Sequence, residues 1–296
     1  MILAALQKNY FCYNMNTTTE EAMYCKYYGL KEMPFNVTAD PTFFFMSHQH
    51  KEALSHLLYG VNQRKGIIVI TGEIGTGKTT LCRFFLDQLG KNVKTAFILN
   101  PNFSELQLLE AIVRDFGVQI KNKTRLGFIW ELNRFLIEEA KAGNNVVLII
   151  DEAQNLKPHQ LEQVRLLSNL ETEKDKLIQI ILVGQPELNH KLSLYELRQL
   201  QQRIMVRYHI IPIEKKELAE YIRHRLKIAG SEDTVSFKDD AIELISVFSR
   251  GTPRLINIIC DRSLLAGFVA ETKVIDGSLV KKCIAELETS LQPTIL

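Results

Sequence analysis

Apolar residues fall in short, nearly unbroken runs at 66–71, 93–99, 145–151, 177–184 and 206–211, rich in Ile, Val and Leu. Between these runs the apolar positions take helical spacing, after Lys78 and then over 105–116, 125–142, 159–170 and 195–204. Strands that take turns with helices of this length predict βαβ units and a mostly parallel sheet. Because the runs are apolar throughout rather than at every second position, helices are expected to cover both faces of that sheet. After Pro212 the pattern changes. The segments 214–228, 238–249, 253–270 and 276–287 all read as helices, no further strand is expected, and a small helical domain closes the chain.

Upstream of the sheet, residues 24–46 are rich in aromatics and interrupted by Gly29, Pro34 and Pro41. This predicts an extended arm wrapped over a surface, ahead of a helix over 48–59. Residues 1–22 lack any packing pattern after the first six and are expected to be a disordered extension. The expected organisation is an extension over 1–22, a sheet domain with its arm over 23–212, a helical domain over 213–290 and a tail over 291–296.

Composition narrows the class of protein. The 296 residues carry a formal net charge of +2, with 46% hydrophobic and 24% charged residues, which is ordinary globular chemistry and excludes a wholly disordered chain. No apolar run approaches the roughly 18 residues of a membrane span. The apolar start at Met1 to Leu6 meets Lys8 too early to be a secretory signal, so a cytoplasmic location is expected. Five cysteines, Cys12, Cys25, Cys82, Cys260 and Cys283, are far apart and odd in number, so neither a disulfide framework nor a zinc site is indicated. Near-neutral charge argues against wholesale nucleic-acid binding, which calls for a strongly basic face.

The chemistry is concentrated at strand ends. The run over 66–71 leads into Gly72-Glu73-Ile74-Gly75-Thr76-Gly77-Lys78-Thr79-Thr80, which satisfies GxxxxGK[ST] and opens a helix. Glycines let such a loop curl with its backbone N–H groups inward, and the helix N-terminus adds its positive end. Lys78 would meet the β and γ phosphates of ATP, and Thr79 would offer a hydroxyl to Mg2+. Further on, Val146-Val147-Leu148-Ile149-Ile150 ends in Asp151-Glu152. A buried strand that delivers Asp151 to a Mg2+ shell and Glu152 to the attacking water as general base performs the two remaining tasks of phosphoryl transfer.

Other positions rest on placement alone. Gln185 ends the run over 177–184, where ligands bind in open α/β sheets, yet a plain turn residue before Pro186 fits as well. Asn100 ends the run over 93–99, either to hold Glu152 away from water or as an ordinary turn with Pro101. Arg198, Arg203 and Arg207 cluster near the last strand, and Arg254 follows Gly251-Thr252-Pro253; by chemistry alone each reads more readily as a solvated arginine of little energetic weight. Phe43-Phe44-Phe45 and Tyr27-Tyr28 read as packing residues, because no basic residues interleave them. His48, His50 and His56 read as surface residues, with no carboxylate or Cys at ligand spacing. Cys82 reads as a small buried hydrophobe.

Taken together these residues resemble the AAA+ ATPases of the general secretion pathway protein A type, also called ExeA-like. The resemblance covers roughly residues 23–287. It rests on Tyr28-Gly29-Leu30-Lys31-Glu32-Met33-Pro34-Phe35, on Gly72 to Thr80 and on Ile149-Ile150-Asp151-Glu152-Ala153-Gln154-Asn155. Further matches are Leu166-Leu167-Ser168-Asn169-Leu170-Glu171-Thr172, Val183-Gly184-Gln185-Pro186-Glu187-Leu188, Leu197-Arg198-Gln199-Leu200 with Gln202-Arg203-Ile204, and Gly251-Thr252-Pro253-Arg254. Pilus-biogenesis ATPases of the MshM type, exosortase-associated ATPases and transposition regulators of the TnsC kind share much of this core.

The resemblance implies a P-loop (AAA+) parallel sheet with helices on both faces and a helical lid. It implies ATP and Mg2+ as ligands, Gln185 as sensor 1, Arg203 as the arginine finger with Arg198 as fallback, and Arg254 as sensor 2. It also implies that Pro34 and Phe35 pack near the adenine. Members are expected to form rings or open homo-oligomers and to serve secretion or pilus systems. The expected partner is a membrane protein of the GspB type, which would recruit the ATPase to the inner face of a membrane. Secretion-type members often continue beyond the lid into a membrane span and a peptidoglycan-binding domain; the sequence ends at Leu296, soon after the last expected helix. The alternatives are a DNA-associated regulator of the TnsC type, for which no basic surface or helix-turn-helix is evident, and a nucleotide-dependent scaffold, against which Glu152 argues.

Overall fold

The computed structural model describes residues 21–172, 176–231 and 233–291. The extension expected over 1–22 lies outside them except for its last two residues, and the tail expected over 291–296 lies outside them except for Leu291. In chain order the elements begin with α1 (Glu21–Tyr28), α2 (His48–Asn62), β1 (Ile67–Gly72), α3 (Lys78–Gln88) and β2 (Val93–Ile98). They continue through α4 (Glu105–Asp115), α5 (Arg125–Lys141), β3 (Asn145–Ile150), α6 (Pro158–Leu167), β4 (Gln179–Gly184), α7 (Glu187–Leu192), α8 (Arg198–Gln201) and β5 (Ile204–Ile210). The remainder is α9 (Lys215–Ile228), β6 (Ser236–Phe237), α10 (Asp239–Ser249), α11 (Pro253–Val269), β7 (Val274–Ile275) and α12 (Gly277–Leu291). These residues form two compact units, one over Met46–Pro212 and one that joins residues 21–45 to 213–291.

In the first unit the β-branched runs pair in parallel, in the order β2-β3-β4-β1-β5. The central strands β1 and β4 are buried at every position, and β3 at all but its first residue, so their side chains enter helix layers on both faces. The edge strands depart from the expected unbroken burial: β2 and β5 alternate buried with partly exposed positions. An edge strand has a neighbour on one side only, so fewer side chains cover it. Gln and Ser supply a capping box at α4, where Gln107 N–H donates to Ser104 Oγ and Gln107 accepts from Ser104 N–H. Helical spacing over 195–204 resolves into a 3-10 turn at Tyr195–Leu197, the short α8 and the start of β5.

The second unit is built on amphipathic helices. Its core joins Tyr28, Phe35 and Phe43 of the arm to Ile222, Ile245, Ile256, Ile259 and Leu264. Here the structure corrects two expectations. First, the arm begins as the helix α1 rather than an extended segment, and it packs with the helical unit rather than with the sheet domain to which the sequence attached it. The reason lies in its aromatics and its carbonyls. Tyr28 is fully buried and donates its hydroxyl proton to Leu264 O at 2.9 Å. Arg225 Nε and Nη2 donate to Pro34 O at 2.6 Å and Asn36 O at 3.0 Å, and the guanidinium lies 4.9 Å from the centre of the Phe43 ring. Second, the unit is not wholly helical, since β6 and β7 pair in parallel through Phe237 and Ile275. A two-residue strand leaves too little periodicity to be read from sequence.

Candidate functional site

All five strands of the sheet are parallel, so the segments that follow β1, β3 and β4 leave from one edge. Since β4 alone separates β1 from β3, these three exits are neighbours. The loop after β1 needs its glycines. Gly75 and Gly77 have φ of 81° and 90°, which a side chain would strain. A Cβ on Gly72 would stand 2.7 Å from Ile210 O of β5. Gly77 also forms the N-cap of α3, so the helix's first N–H groups open toward the loop.

Lys78 is 6% exposed, and its Nζ donates to Gly72 O at 2.8 Å and Glu73 O at 2.9 Å. Burial lowers its pKa, partly offset by the carboxylates of Glu152, Asp151 and Glu73. Thr79 Oγ1 donates to Asp151 Oδ2 at 2.5 Å, which ties the loop to the end of β3. Asp151 is 1% exposed, and burial raises its pKa against the lowering effect of the Thr79 hydroxyl and the Glu152 N–H. Glu152 adopts φ 54° and ψ 36°, a left-handed conformation uncommon outside glycine. Its Oε2 accepts from Gln154 Nε2 at 2.5 Å and from Gln185 Nε2 at 3.2 Å. Thr79, Asp151, Glu152 and Gln185 therefore form one bonded set at the carboxyl edge, and Lys78, next to Thr79 in the chain, is bonded to the loop carbonyls instead. The donor set of a hydroxyl and a carboxylate is the oxygen chemistry that suits Mg2+.

Other expected site residues stand elsewhere. Asn100 does not reach Glu152; its Oδ1 accepts from Asn155 Nδ2 at 3.1 Å. Arg203 is half-buried just before β5, while Arg198 is exposed and lies over the Tyr195 ring, 4.2 Å from its centre. Arg254 is exposed in the first turn of α11, in the helical unit. Pro34 and Phe35 belong to that unit as well, with Phe35 buried against Phe237.

Two contacts escaped the sequence reading. His50, expected at the surface, is buried and donates from Nε2 to Thr76 O of the loop at 2.8 Å, while its Nδ1 pairs with Ser47 Oγ at 2.7 Å. A carbonyl only accepts, so Nε2 carries the proton of the contact with Thr76. Gln154, one residue of a quoted motif, turns out to bridge Glu152 and Gln185. Nothing in local spacing signals the pairing of His50 with Thr76 or of Gln154 with Gln185, because those partners are distant in the chain.

The AAA domain family matches residues 61–192, which contain the whole bonded set. General secretion pathway protein A of Aeromonas hydrophila is 43% identical over 259 residues, 87% of this chain; the chain spans 47% of that relative's length. The crystal structure of Cdc6p from Pyrobaculum aerophilum superposes with a TM-score of 0.66 at 21% identity, over 83% of this chain and 70% of that one. The RuvB branch migration motor of Thermotoga maritima does so with a TM-score of 0.56 at 22% identity, over 80% of this chain and 68% of that one. These two likenesses speak to fold, and the sheet with its P-loop and helical domain is that of an AAA+ protein. Sequence identity and fold agree: the chain carries an AAA domain with a P-loop and is related to general secretion pathway protein A.

Proposed function

We propose that the chain hydrolyses ATP with Mg2+ as an oligomeric AAA+ ATPase, and that turnover supports assembly of a secretion or cell-surface system such as a pilus or exopolysaccharide apparatus. The observation that carries this reading is the 2.5 Å bond from Thr79 to Asp151, with Glu152 in the same bonded set and the charge of Lys78 supported by the carboxylates of both acids. The loop N–H groups from Glu73 to Thr80 would receive the phosphates, and Lys78 would exchange its two carbonyl partners for phosphate oxygens. Thr79 and Asp151 would hold Mg2+, whose charge offsets that of the β and γ phosphates. Glu152 would take the proton of the attacking water, with Gln185 orienting that water or the γ phosphate.

Arg203, or Arg198 in its place, is proposed as the arginine finger given to a neighbouring protomer, and Arg254 as sensor 2. Pro34 and Phe35 are proposed to lie near the adenine. No described helix is long and apolar enough to cross a membrane. Recruitment to the inner face of a membrane is proposed to run through a partner of the GspB type.

The test is the Mg2+-dependent ATPase rate per protomer against protein concentration, for the wild type beside Glu152→Gln and Arg203→Ala. The expected result is a rate that rises with concentration and is abolished by either substitution while ATP still binds. A flat, negligible rate with tight ATP binding would replace hydrolysis by a nucleotide-dependent scaffold.

A further inference from the structure

The general base and the sensor proposed above are bound to each other. Glu152 Oε2 carries two amide N–H donors, from Gln154 at 2.5 Å and from Gln185 at 3.2 Å. Gln154 makes the link rigid, since its Oε1 also accepts the Gln185 backbone N–H at 3.1 Å. The orientation of that amide is set by its partners: a carboxylate only accepts and a backbone N–H only donates, so nitrogen must face Glu152 and oxygen must face Gln185.

The surroundings are shaped to keep it there. Lys191 Nζ donates to the carbonyl oxygens of Gln154 and Leu156, which holds the backbone on either side of the residue between them. A Cβ on Gly184, the last residue of β4, would stand 2.8 Å from Gln154 Oε1 and 3.3 Å from Gln154 N, so that glycine leaves the room the amide occupies. Glu152 itself is held in its left-handed backbone conformation by its own N–H, which donates to Asp151 Oδ1 at 2.9 Å. Asn100, the other residue expected to restrain Glu152, spends its side-chain oxygen on Asn155.

We propose that Gln154 is a positioning residue that latches Glu152 to Gln185 in the nucleotide-free protein. In that state the oxygen meant to accept the water proton is capped by amide donors, and the sensor amide is turned toward the base. Bound ATP loosens the latch without fully opening it: the γ phosphate, carrying more charge than a carboxylate, takes the Gln185 amide, while the Gln154 amide still holds most of Glu152 away from the water. The inference rests on the reading of Glu152 as general base and adds to it a residue that couples ATP arrival to activation of that base.

Two substitutions separate the contributions. Gln154→Leu removes both amide contacts at similar size. Gln154→Glu keeps the acceptor for the Gln185 N–H and replaces the donor to Glu152 by a carboxylate that repels it, so it opens the latch while guarding against a loss of fold in the first. In steady-state assays with Mg-ATP, both are expected to raise kcat about tenfold, the size expected from losing one hydrogen bond to a charged group, and to lower KM, since ATP binding no longer works against the latch. Adding Glu152→Gln to either is expected to abolish the gain. A lower or unchanged kcat would overturn the latch, a lower one pointing to productive alignment instead.

A second readout does not depend on turnover. The Gln154 side-chain 1H–15N amide signal, assigned by its loss in Gln154→Leu, is expected to sit away from the position of free glutamine. It should move on Glu152→Gln and return toward the free position when Mg2+ and a non-hydrolysable ATP analogue are added. A signal that ignores the analogue overturns the latch whatever the ATPase rate. If instead the signal responds as expected while the wild type and both variants hydrolyse nothing, the hydrolysis reading falls together with the tenfold gain.

Discussion

The two units bury charge for different ends. In the helical unit, Arg225 lies under the arm with its guanidinium bonded to two backbone carbonyls and stacked on Phe43, so the cation serves as an architectural clamp. In the sheet unit, Lys78 and Asp151 are buried at the strand ends, and burial works against the charged form of both. One unit uses a buried charge to satisfy backbone groups that packing would otherwise leave without partners. The other keeps two buried charges whose folded environment disfavours them, an arrangement that makes sense if a charged ligand completes it.

The largest test of this contrast is on activity. Glu152→Gln is expected to lower the ATPase rate by about 100-fold or more, with ATP affinity retained, as read by steady-state assay and equilibrium binding. The next is on the packing that carries the site. Leu148→Ala, in a fully buried position of β3, is expected to destabilise the sheet unit by about 2–5 kcal/mol. Hydrogen exchange should report the loss in peptides of β1, β3 and β4, with those of α10 to α12 protected as in the wild type. Arg225→Ala comes third. It leaves the Pro34 and Asn36 carbonyls short of a donor and is expected to destabilise the helical unit by about 2–3 kcal/mol, with faster exchange confined to residues 30–45 and their contacts. Equal loosening of both units by either core substitution would break the comparison.

The smallest expected effect has the opposite sign. Because the folded chain binds the Asp151 proton more tightly than the unfolded chain, the stability this group contributes falls as pH rises above its ordinary value of 3.8. Asp151→Asn removes that dependence. Its amide can still pair with Thr79, whose hydroxyl both donates and accepts. The nucleotide-free variant is therefore expected to melt slightly higher than the wild type at neutral pH, while Mg2+-supported hydrolysis is lost. A variant that melts lower across the pH range would mean that the Thr79 bond outweighs burial.

Much of this was legible before any coordinates. The runs at 66–71, 145–151 and 177–184 correspond to β1, β3 and β4, because strands buried on both faces must be apolar at every position. The glycine spacing before Lys78 and the acidic pair after β3 pointed to the edge proposed for the nucleotide by chemistry that tolerates few alternatives. The edge strands were less legible, since their alternation is a consequence of where they lie in the sheet. The arm was misassigned because its aromatics announce burial without naming the surface that receives them.

By itself the sequence determined the alternation of strands and helices, the loop around Lys78 and the pairing of Asp151 with Glu152, all of which depend on residues close together in the chain. Tertiary structure alone decided that Tyr28 and Phe35 join the helical unit, that His50 supports Thr76, and that Gln154 ties Glu152 to Gln185. Those contacts link residues far apart in the chain, from Thr76 with His50 to Tyr28 with Leu264. Local propensity carries no information about such partners; they are selected when distant segments bury apolar surface together and each enclosed polar group must find a donor or acceptor.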